Sequence, residues 1–447
     1  MMKKQLSEVG ALALFLLLAF GVGGQEDLSL SQAIAIGLKN NFQIQIADKN
    51  IEIAENSNRW SVAGRYPTID LSLNSNNGFN HLENPASFTQ QVDSWSANGS
   101  PGINSSIVLF DGYRVRFTKQ QLEKLAIQSR GDAKVVVENT IESIILAYYQ
   151  ALIQKEQLSV LEEVLALSKD RIEYQEIRKE YGQSSTFDVL QTKDAYLNDS
   201  TNYLIQVNSY ETALRNLNLA MRDKNLNTRY HLVDQLTFEV TDYRLADLKE
   251  KMLAGNQDLQ NLFTQRELAG INTKLQRTSL FPKLQLNIGG GINRTDSKVN
   301  IVFATGDPLN RLVKTRSFNF FFNLSATYNL FDFGVKRRKI ENAQMQEFVV
   351  QLQVDDLIQN LTAQLENTLG TFNNQRRLVL LTQELIENAQ KNLEIAAERF
   401  KGGLINSFDF RTIQLNYINA SQARLNAIFN LKNTETELIR LTGGLVR

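Results

Sequence analysis

Few side chains in this 447-residue sequence could do chemistry. There is no Cys, and the two His residues, His81 and His231, stand alone in the sequence. Thiol catalysis, disulfides and a His/Cys metal centre therefore have nothing to build on. No Gly-rich phosphate loop follows a strand: Gly289-Gly290-Gly291 lies inside one, where small residues suit close packing or a bend. What does recur is a carboxylate in a fixed frame. Ser185-Thr186-Phe187-Asp188 and Asn406-Ser407-Phe408-Asp409 place Asp188 and Asp409 221 residues apart, each shortly after a glycine turn at Gly182 or at Gly402-Gly403. The chemistry open to such carboxylates is electrostatic: each stands at a helix start, where a side-chain oxygen satisfies free amides. The glycines permit positive φ and read first as turn formers. Lys336-Arg337-Arg338-Lys339 forms a short basic cluster just after a strand exit, near a lipid boundary or on a solvated helix start. No convergent set of His, Cys and carboxylates exists, so no enzyme, cofactor or metal is expected.

The elements that must position these residues follow from the rest of the chain. Lys+Arg and Asp+Glu are both 48, a balance that speaks against a nucleic-acid partner. With only five Pro, long uninterrupted helices are allowed. Lys3 and Lys4 precede an apolar run from Gly10 to Phe20 and small residues at Gly21, Gly23 and Gly24, the order of a secretory signal peptide over residues 1–24. A membrane anchor is the competing reading, but the run is shorter than the roughly 20 residues of a spanning helix.

The chain is an internal duplication. Val108-Leu109-Phe110-Asp111-Gly112-Tyr113 recurs as Asn329-Leu330-Phe331-Asp332-Phe333-Gly334, and Arg65-Tyr66-Pro67 recurs as Leu280-Phe281-Pro282. The first repeat is read as 25–223, a linker as 224–244 and the second repeat as 245–447. Each repeat should open with a helix of about 35 residues (29–64; 245–279) that stops before Pro67 or Pro282. Two strands joined by a polar loop follow. A very long helix (113–178; 335–398) and a shorter one (186–222; 408–442) close the repeat. Val137, Ile141, Ile144 and Tyr148, then Leu158, Leu161 and Leu165, give the long helix coiled-coil-like spacing. At 1.5 Å per residue, some 65 helical residues span about 100 Å.

Strands are expected at about 67–78, 101–110, 282–293 and 317–331, all alternating with a period of two. The last is the clearest: Phe318, Phe320, Phe322, Leu324, Ala326 and Tyr328 alternate with Ser317, Asn319, Asn323, Ser325 and Thr327, Phe321 being the exception. A soluble sheet on a core and a membrane barrel with a wet lumen both give such faces. Export, long polar loops over 75–100 and 294–316, and helices too polar to wrap a core favour the barrel. Four strands cannot close a barrel, and open edges in hydrocarbon cost several kcal/mol per unpaired group, so a membrane sheet must borrow strands from other chains.

With these features in this order, the sequence resembles the TolC family of outer-membrane efflux proteins over essentially the whole mature chain. The resemblance rests on the duplication, the Tyr66-Pro67 and Phe281-Pro282 strand entries, the Leu109-Phe110-Asp111 and Leu330-Phe331-Asp332 exits, and turns such as Tyr181-Gly182-Gln183 and Arg399-Phe400-Lys401-Gly402-Gly403. It implies a mainly α fold with a membrane β part: a homotrimer whose 12-stranded β-barrel continues into an α-helical tunnel in the periplasm. It implies a passive channel of a tripartite efflux or type I secretion system, with a periplasmic adaptor, an inner-membrane pump and outer-membrane lipid as partners. By the same resemblance Asp188, Asp409 and Phe400 belong to the gate or pore lining, with Phe400 where the family can carry Tyr, Ile405 where some members have Arg, and Thr412 where a second acid can occur. Gly182, Gly402 and Gly403 would contact the adaptor, and Phe318, Phe320, Phe322 and Tyr328 would face lipid. The competing reading is an exported trimeric coiled-coil scaffold without a channel.

Overall fold

The computed structural model describes residues 26–238 and 241–445, so the signal-peptide expectation for 1–24 lies outside the described residues. In chain order the elements are β1 (Asp27–Leu28), α1 (Leu30–Asn40), α2 (Phe42–Ser57), β2 (Thr68–Glu83), β3 (Thr89–Phe110), α3 (Arg114–Glu180), α4 (Thr186–Met221), β4 (His231–Leu232), α5 (Leu245–Gly255), α6 (Gln257–Arg277), β5 (Lys283–Phe303), β6 (Pro308–Thr327), α7 (Val335–Lys401) and α8 (Ser407–Leu441). The same order of elements appears in both halves, as the duplication predicts. Among the described residues no helix is long and apolar enough to cross a membrane.

Two expectations are corrected. The opening helix of each repeat is two helices, because a buried Asn interrupts it. The Asn41 amide closes α1 on the Gly37 carbonyl (2.9 Å), and its side-chain oxygen accepts the Gln43 amide (2.7 Å) to start α2. Asn256 does the same between α5 and α6: its amide donates to Met252 O (2.9 Å) and its side-chain oxygen accepts from Leu259 N (3.0 Å). Both asparagines are extended, with ψ of 120° and 119°, which ends one helix while the side chain caps the next. The second correction concerns the polar loops. Residues 75–100 and 294–316 are mostly strand, and β2, β3, β5 and β6 run for 16, 22, 21 and 20 residues. Backbone pairing continues well past the apolar part of each strand, because Asn, Ser and Thr can line both faces of a sheet that meets water on both sides. The fourth strand also stops at Thr327, so Tyr328 lies beyond it, with Lys336 Nζ 5.6 Å from the centre of its ring.

The chain divides into two compact units. Among the described residues, one comprises 26–49, 131–238, 241–261 and 355–445; the other comprises 50–130 and 262–354. The first is helical. Ile144, Tyr148 and Leu152 of α3, Leu217 and Met221 of α4, and Leu28 and Leu232 are among its fully buried side chains, and Tyr148 Oη donates to Leu28 O at 2.9 Å. Here β1 and β4 pair in parallel, Asp27 with His231 and Leu28 with Leu232, so the inter-repeat segment carries a strand of its own. The second unit holds an antiparallel sheet in the order β2-β3-β5-β6. Its strands leave for α3 and α7 through matching turns: Gly112 and Tyr113 have φ of 70° and 69°, Phe333 and Gly334 have 52° and 77°. Asp332 caps α7, its carboxylate accepting from Gly334 N (3.1 Å) and Lys336 N (3.0 Å). The basic cluster secures this exit: Lys336 Nζ donates to Asn329 O (3.1 Å) and Arg338 to Phe333 O (2.7 Å), while Arg337 pairs with Glu341.

Candidate functional site

The carboxylates and glycines singled out in the sequence lie at the two helix-to-helix turns, α3 to α4 and α7 to α8. The turns share one geometry. Gly182 N donates to Lys179 O (2.9 Å) and Gln183 N to Arg178 O (2.8 Å); Gly403 N donates to Phe400 O (3.0 Å) and Leu404 N to Arg399 O (2.9 Å). This is the helix ending in which a left-handed residue satisfies the last carbonyls. Gly182 and Gly403 supply it with φ of 72° and 71°. Gly402 is not left-handed, so only one glycine of the pair serves the turn. Extended Ser185 and Asn406 then start α4 and α8.

The two starts differ in chemistry. Ser185 Oγ accepts the Asp188 amide (3.1 Å) while the Asp188 carboxylate accepts from Ser185 N (3.0 Å) and Ser185 Oγ (2.7 Å), a reciprocal cap. Those hydrogen bonds, from the Ser185 hydroxyl first and its amide second, hold the Asp188 carboxyl below its ordinary range. At α8 the side chain of Asn406 alone takes the amides of Phe408 (3.0 Å) and Asp409 (2.8 Å). The Asp409 side chain is exposed and is not the cap. The equal treatment of the two aspartates in the sequence is thus resolved differently in each repeat.

Phe400 is placed otherwise than expected. Its side chain is 4% exposed, packed between Tyr174 and Phe410 with ring centres 5.5 and 5.3 Å away. It fills the core made by Val164, Leu393, Ala396, Phe410, Tyr417 and Ala420, so within this chain it lines no solvent surface. A hydroxyl does reach this turn, from Tyr174, whose Oη donates to Lys401 O at 2.7 Å. Ile405 is half-buried on the same core, and the Thr412 hydroxyl donates to Phe408 O within its own helix. Exposed apolar side chains do occupy the turns: Tyr181, Phe187, Leu404 and Phe408.

One buried polar network near the turns escaped sequence reasoning. Arg411 of α8 forks onto Asp199 of α4, with Nη1 to Oδ2 and Nη2 to Oδ1 both 2.7 Å. Asp199 is 2% exposed and also accepts from Ser168 Oγ of α3 at 2.6 Å. Gln414 Nε2 donates to Ser168 Oγ (2.9 Å), and Gln414 Oε1 accepts from Arg411 Nη1 (2.8 Å). Beside it Arg171, 3% exposed, lies 5.4 Å from the Phe410 ring centre. Burial, then the neighbouring Arg411 charge, lowers its pKa to about 10, against the pull of Asp199. The network joins three helices of two hairpins with charge-assisted bonds that hold one geometry. Ser168 and Arg171 sit at helical spacing among apolar residues of α3, a pattern that reads in sequence as a solvated stripe.

In the second unit the sheet's two faces differ as the alternation predicts. Ile69, Leu71 and Leu73 share a face with Ile103, with Leu284, Leu286, Ile288 and Ile292, and with Phe318, Phe320, Phe322 and Leu324. Phe318, Phe320 and Phe322 are 74%, 70% and 65% exposed, so an apolar face is bare in the single chain. Ser72, Asn74, Asn104, Asn287, Asn319 and Asn323 lie on the opposite face. The two histidines have carboxylate partners: His81 Nδ1 is 2.5 Å from Asp93 Oδ1, and His231 Nδ1 is 2.9 Å from Asp27 Oδ1.

Known proteins share this arrangement. The outer membrane efflux protein family profile matches residues 34–221 and 248–444, one segment in each repeat. The solvent efflux pump outer membrane protein SrpC of Pseudomonas putida is 21% identical over 428 residues, covering 94% of this chain and 86% of its own. Among solved structures, the Campylobacter jejuni CmeC outer membrane channel superposes with a TM-score of 0.74 at 18% identity, over 93% of this chain and 85% of that one. A Pseudomonas aeruginosa membrane protein gives 0.75 at 16% identity, over 94% and 91%. With the family match covering both repeats, and with paired helix hairpins and a four-stranded sheet that carries one bare apolar face, this chain belongs to the outer membrane efflux protein family.

Proposed function

We propose that three copies of this chain form a passive exit duct in the outer membrane, fed by an inner-membrane pump through a periplasmic adaptor. The observation that carries the reading is the four-stranded sheet: its edges β2 and β6 have no partner among the described residues, and one face is apolar and bare. In hydrocarbon each unpaired backbone group is costly, so the edges must meet strands of further copies; three chains supply twelve, enough to close a barrel. The polar face of Asn, Ser and Thr would then line a wet lumen. The helix hairpins would extend into the periplasm, and the α3–α4 and α7–α8 turns, with Gly182, Gly402, Gly403 and the exposed Tyr181, Phe187, Leu404 and Phe408, would meet the adaptor. Asp188 and Asp409 would sit at the closed end, with Phe400 packing behind that surface. No residue chemistry is needed, because the pump supplies the energy.

The test is extraction, mass and conductance on one preparation. The reading expects release from envelopes only with detergent, a particle of three chains, and ion conductance in a planar bilayer. Release by carbonate alone, or a monomer, would overturn it in favour of the soluble scaffold.

A further inference from the structure

The apolar face of the sheet ends abruptly. On β5 the residues of that face run Leu284, Leu286, Ile288, Gly290, Ile292, then Arg294, Asp296 and Lys298. On β6 they run Ala326, Leu324, Phe322, Phe320, Phe318, then Arg316 and Lys314. From Leu284 to Ile292 the strand rises about 27 Å; with the usual tilt of a barrel strand this fits an apolar band of about 25 Å or a little less. The charges therefore begin at the first outward-facing position beyond the band. They lie on the side of the β2–β3 and β5–β6 turns, away from the ends that continue into helices.

Arg294 and Arg316 are register partners on adjacent antiparallel strands. Like charges directly opposite one another repel. Asp296 is the one carboxylate beside them, and it binds Arg294 (3.2 and 3.4 Å). Lys314 stands opposite Asp296 in the register without an ion pair to it, Arg316 and Lys298 have no ion-pair partner among the described residues, and all three are exposed. On β3 and β2 the same level carries Gly99 and Ser75, which leave a shallow depression of ≈ 440 Å³ lined also by Ala97, Pro101, Arg294 and Arg316. Further out, Trp95 stands opposite Lys298, an interfacial aromatic beside a cation.

We propose that Arg294 and Arg316, with Lys298 and Lys314, bind the phosphate of an anionic lipid headgroup at the outer margin of the apolar band. A phosphate between the two guanidiniums turns a repulsive pair into a bidentate clamp. The small residues beside it give the headgroup room. The position, one step past the band on the side away from the helices, selects a lipid of the outer leaflet, where phosphorylated glycolipid presents this group. The proposal rests on the lipid-facing reading of the sheet given above.

The experiment reconstitutes the detergent-purified protein into phosphatidylcholine nanodiscs with and without diphosphoryl lipid A and reads retained lipid by native mass spectrometry. Insertion into neutral discs tests the underlying reading; failure there overturns both readings. Given insertion, the protein is expected to retain diphosphoryl lipid A over its dephosphorylated form. The R294Q/R316Q variant should insert normally but retain it about tenfold less. Equal retention by both proteins, or equal retention of the dephosphorylated lipid, overturns the proposal. So does full displacement by millimolar inorganic phosphate, which would make the cluster a site for the free ion.

Discussion

Arg411 holds Asp199 through two parallel 2.7 Å bonds, the carboxylate buried and the guanidinium reaching it from the neighbouring hairpin. Asp199 also acts electrostatically on Arg171, whose Nε and Nη1 find no hydrogen-bond acceptor among the described residues. Removing the carboxylate therefore leaves the buried Arg171 and the half-buried Arg411 without the anion that offsets their charges. Asp199→Ala should destabilise this end of the hairpins by about 3–5 kcal/mol. Hydrogen exchange should quicken over 164–175 and 407–417 while the sheet stays protected. Arg411→Met added to Asp199→Ala should recover part of the loss, since it removes one stranded charge. Under the duct reading, Asp199→Ala should also raise the resting conductance.

The capping box at Ser185 predicts a pH response. The folded-state pKa of Asp188 is depressed, so its contribution is present above the unfolded value. It is lost as pH falls through the folded value, below the ordinary 3.8. Amides 186–189 should be evenly protected at neutral pH and lose protection only in that acid window. Ser185→Ala removes the cap, should lower local stability by about 1 kcal/mol, and should return Asp188 towards its ordinary pKa. Asp409 has no such reciprocal bond. Asp409→Asn should leave α8 unchanged within about 0.5 kcal/mol while lowering cation selectivity in bilayer recordings if its carboxylate faces the pore. Unchanged selectivity would remove Asp409 from the gate.

The legible parts of this molecule were those written in period and repetition. A two-residue period gave the strands and their faces, helical spacing gave α3, α4, α7 and α8, and the 221-residue offset joins Gly182 to Gly403, Ser185 to Asn406 and Gly112 to Phe333 in matching conformations. What failed was set by single side chains or by pairings distant in sequence. Asn41 and Asn256 break helices through single side chains that cap the next turn, a signal easily lost inside a helical stretch. Strand continuation past residue 78 depends on pairing with β3 and not on hydrophobicity, so a polar stretch such as Asn74–Asn80 reads as loop. The Asp199–Arg411–Ser168–Gln414 network brings together positions up to 246 residues apart. Nothing in a polar helix residue says whether its partner is water or an arginine.

The glycine pair at the second turn offers a sharp contrast. Gly403 has φ of 71° with open space around a would-be Cβ, so strain comes from the backbone alone. Gly403→Ala should cost about 1 kcal/mol. Gly402→Ala, at an ordinary φ with its nearest neighbours at 3.6 Å, should be neutral. Thermal midpoints of the detergent-purified protein measure both. Under the adaptor reading, a larger substitution such as Gly402→Gln should weaken adaptor binding without moving that midpoint.

Phe321, the one aromatic on the polar face of β6, is explained by Gly289, its register partner on β5. A Cβ at Gly289 would stand 2.6 Å from the Phe321 ring and would also press on the Asn104 side chain. The ring therefore covers a strand position kept bare for it, an aromatic supporting a glycine that would otherwise weaken the sheet. Gly289→Val should lower the protein's thermal midpoint markedly, because the ring has to leave its place. Phe321→Ala should have a smaller effect. In the double variant the valine fills space the ring has vacated, so the two losses should fall short of additivity by about 1–2 kcal/mol. Strict additivity would mean that ring and glycine act independently and that Phe321 stands on the polar face for another reason.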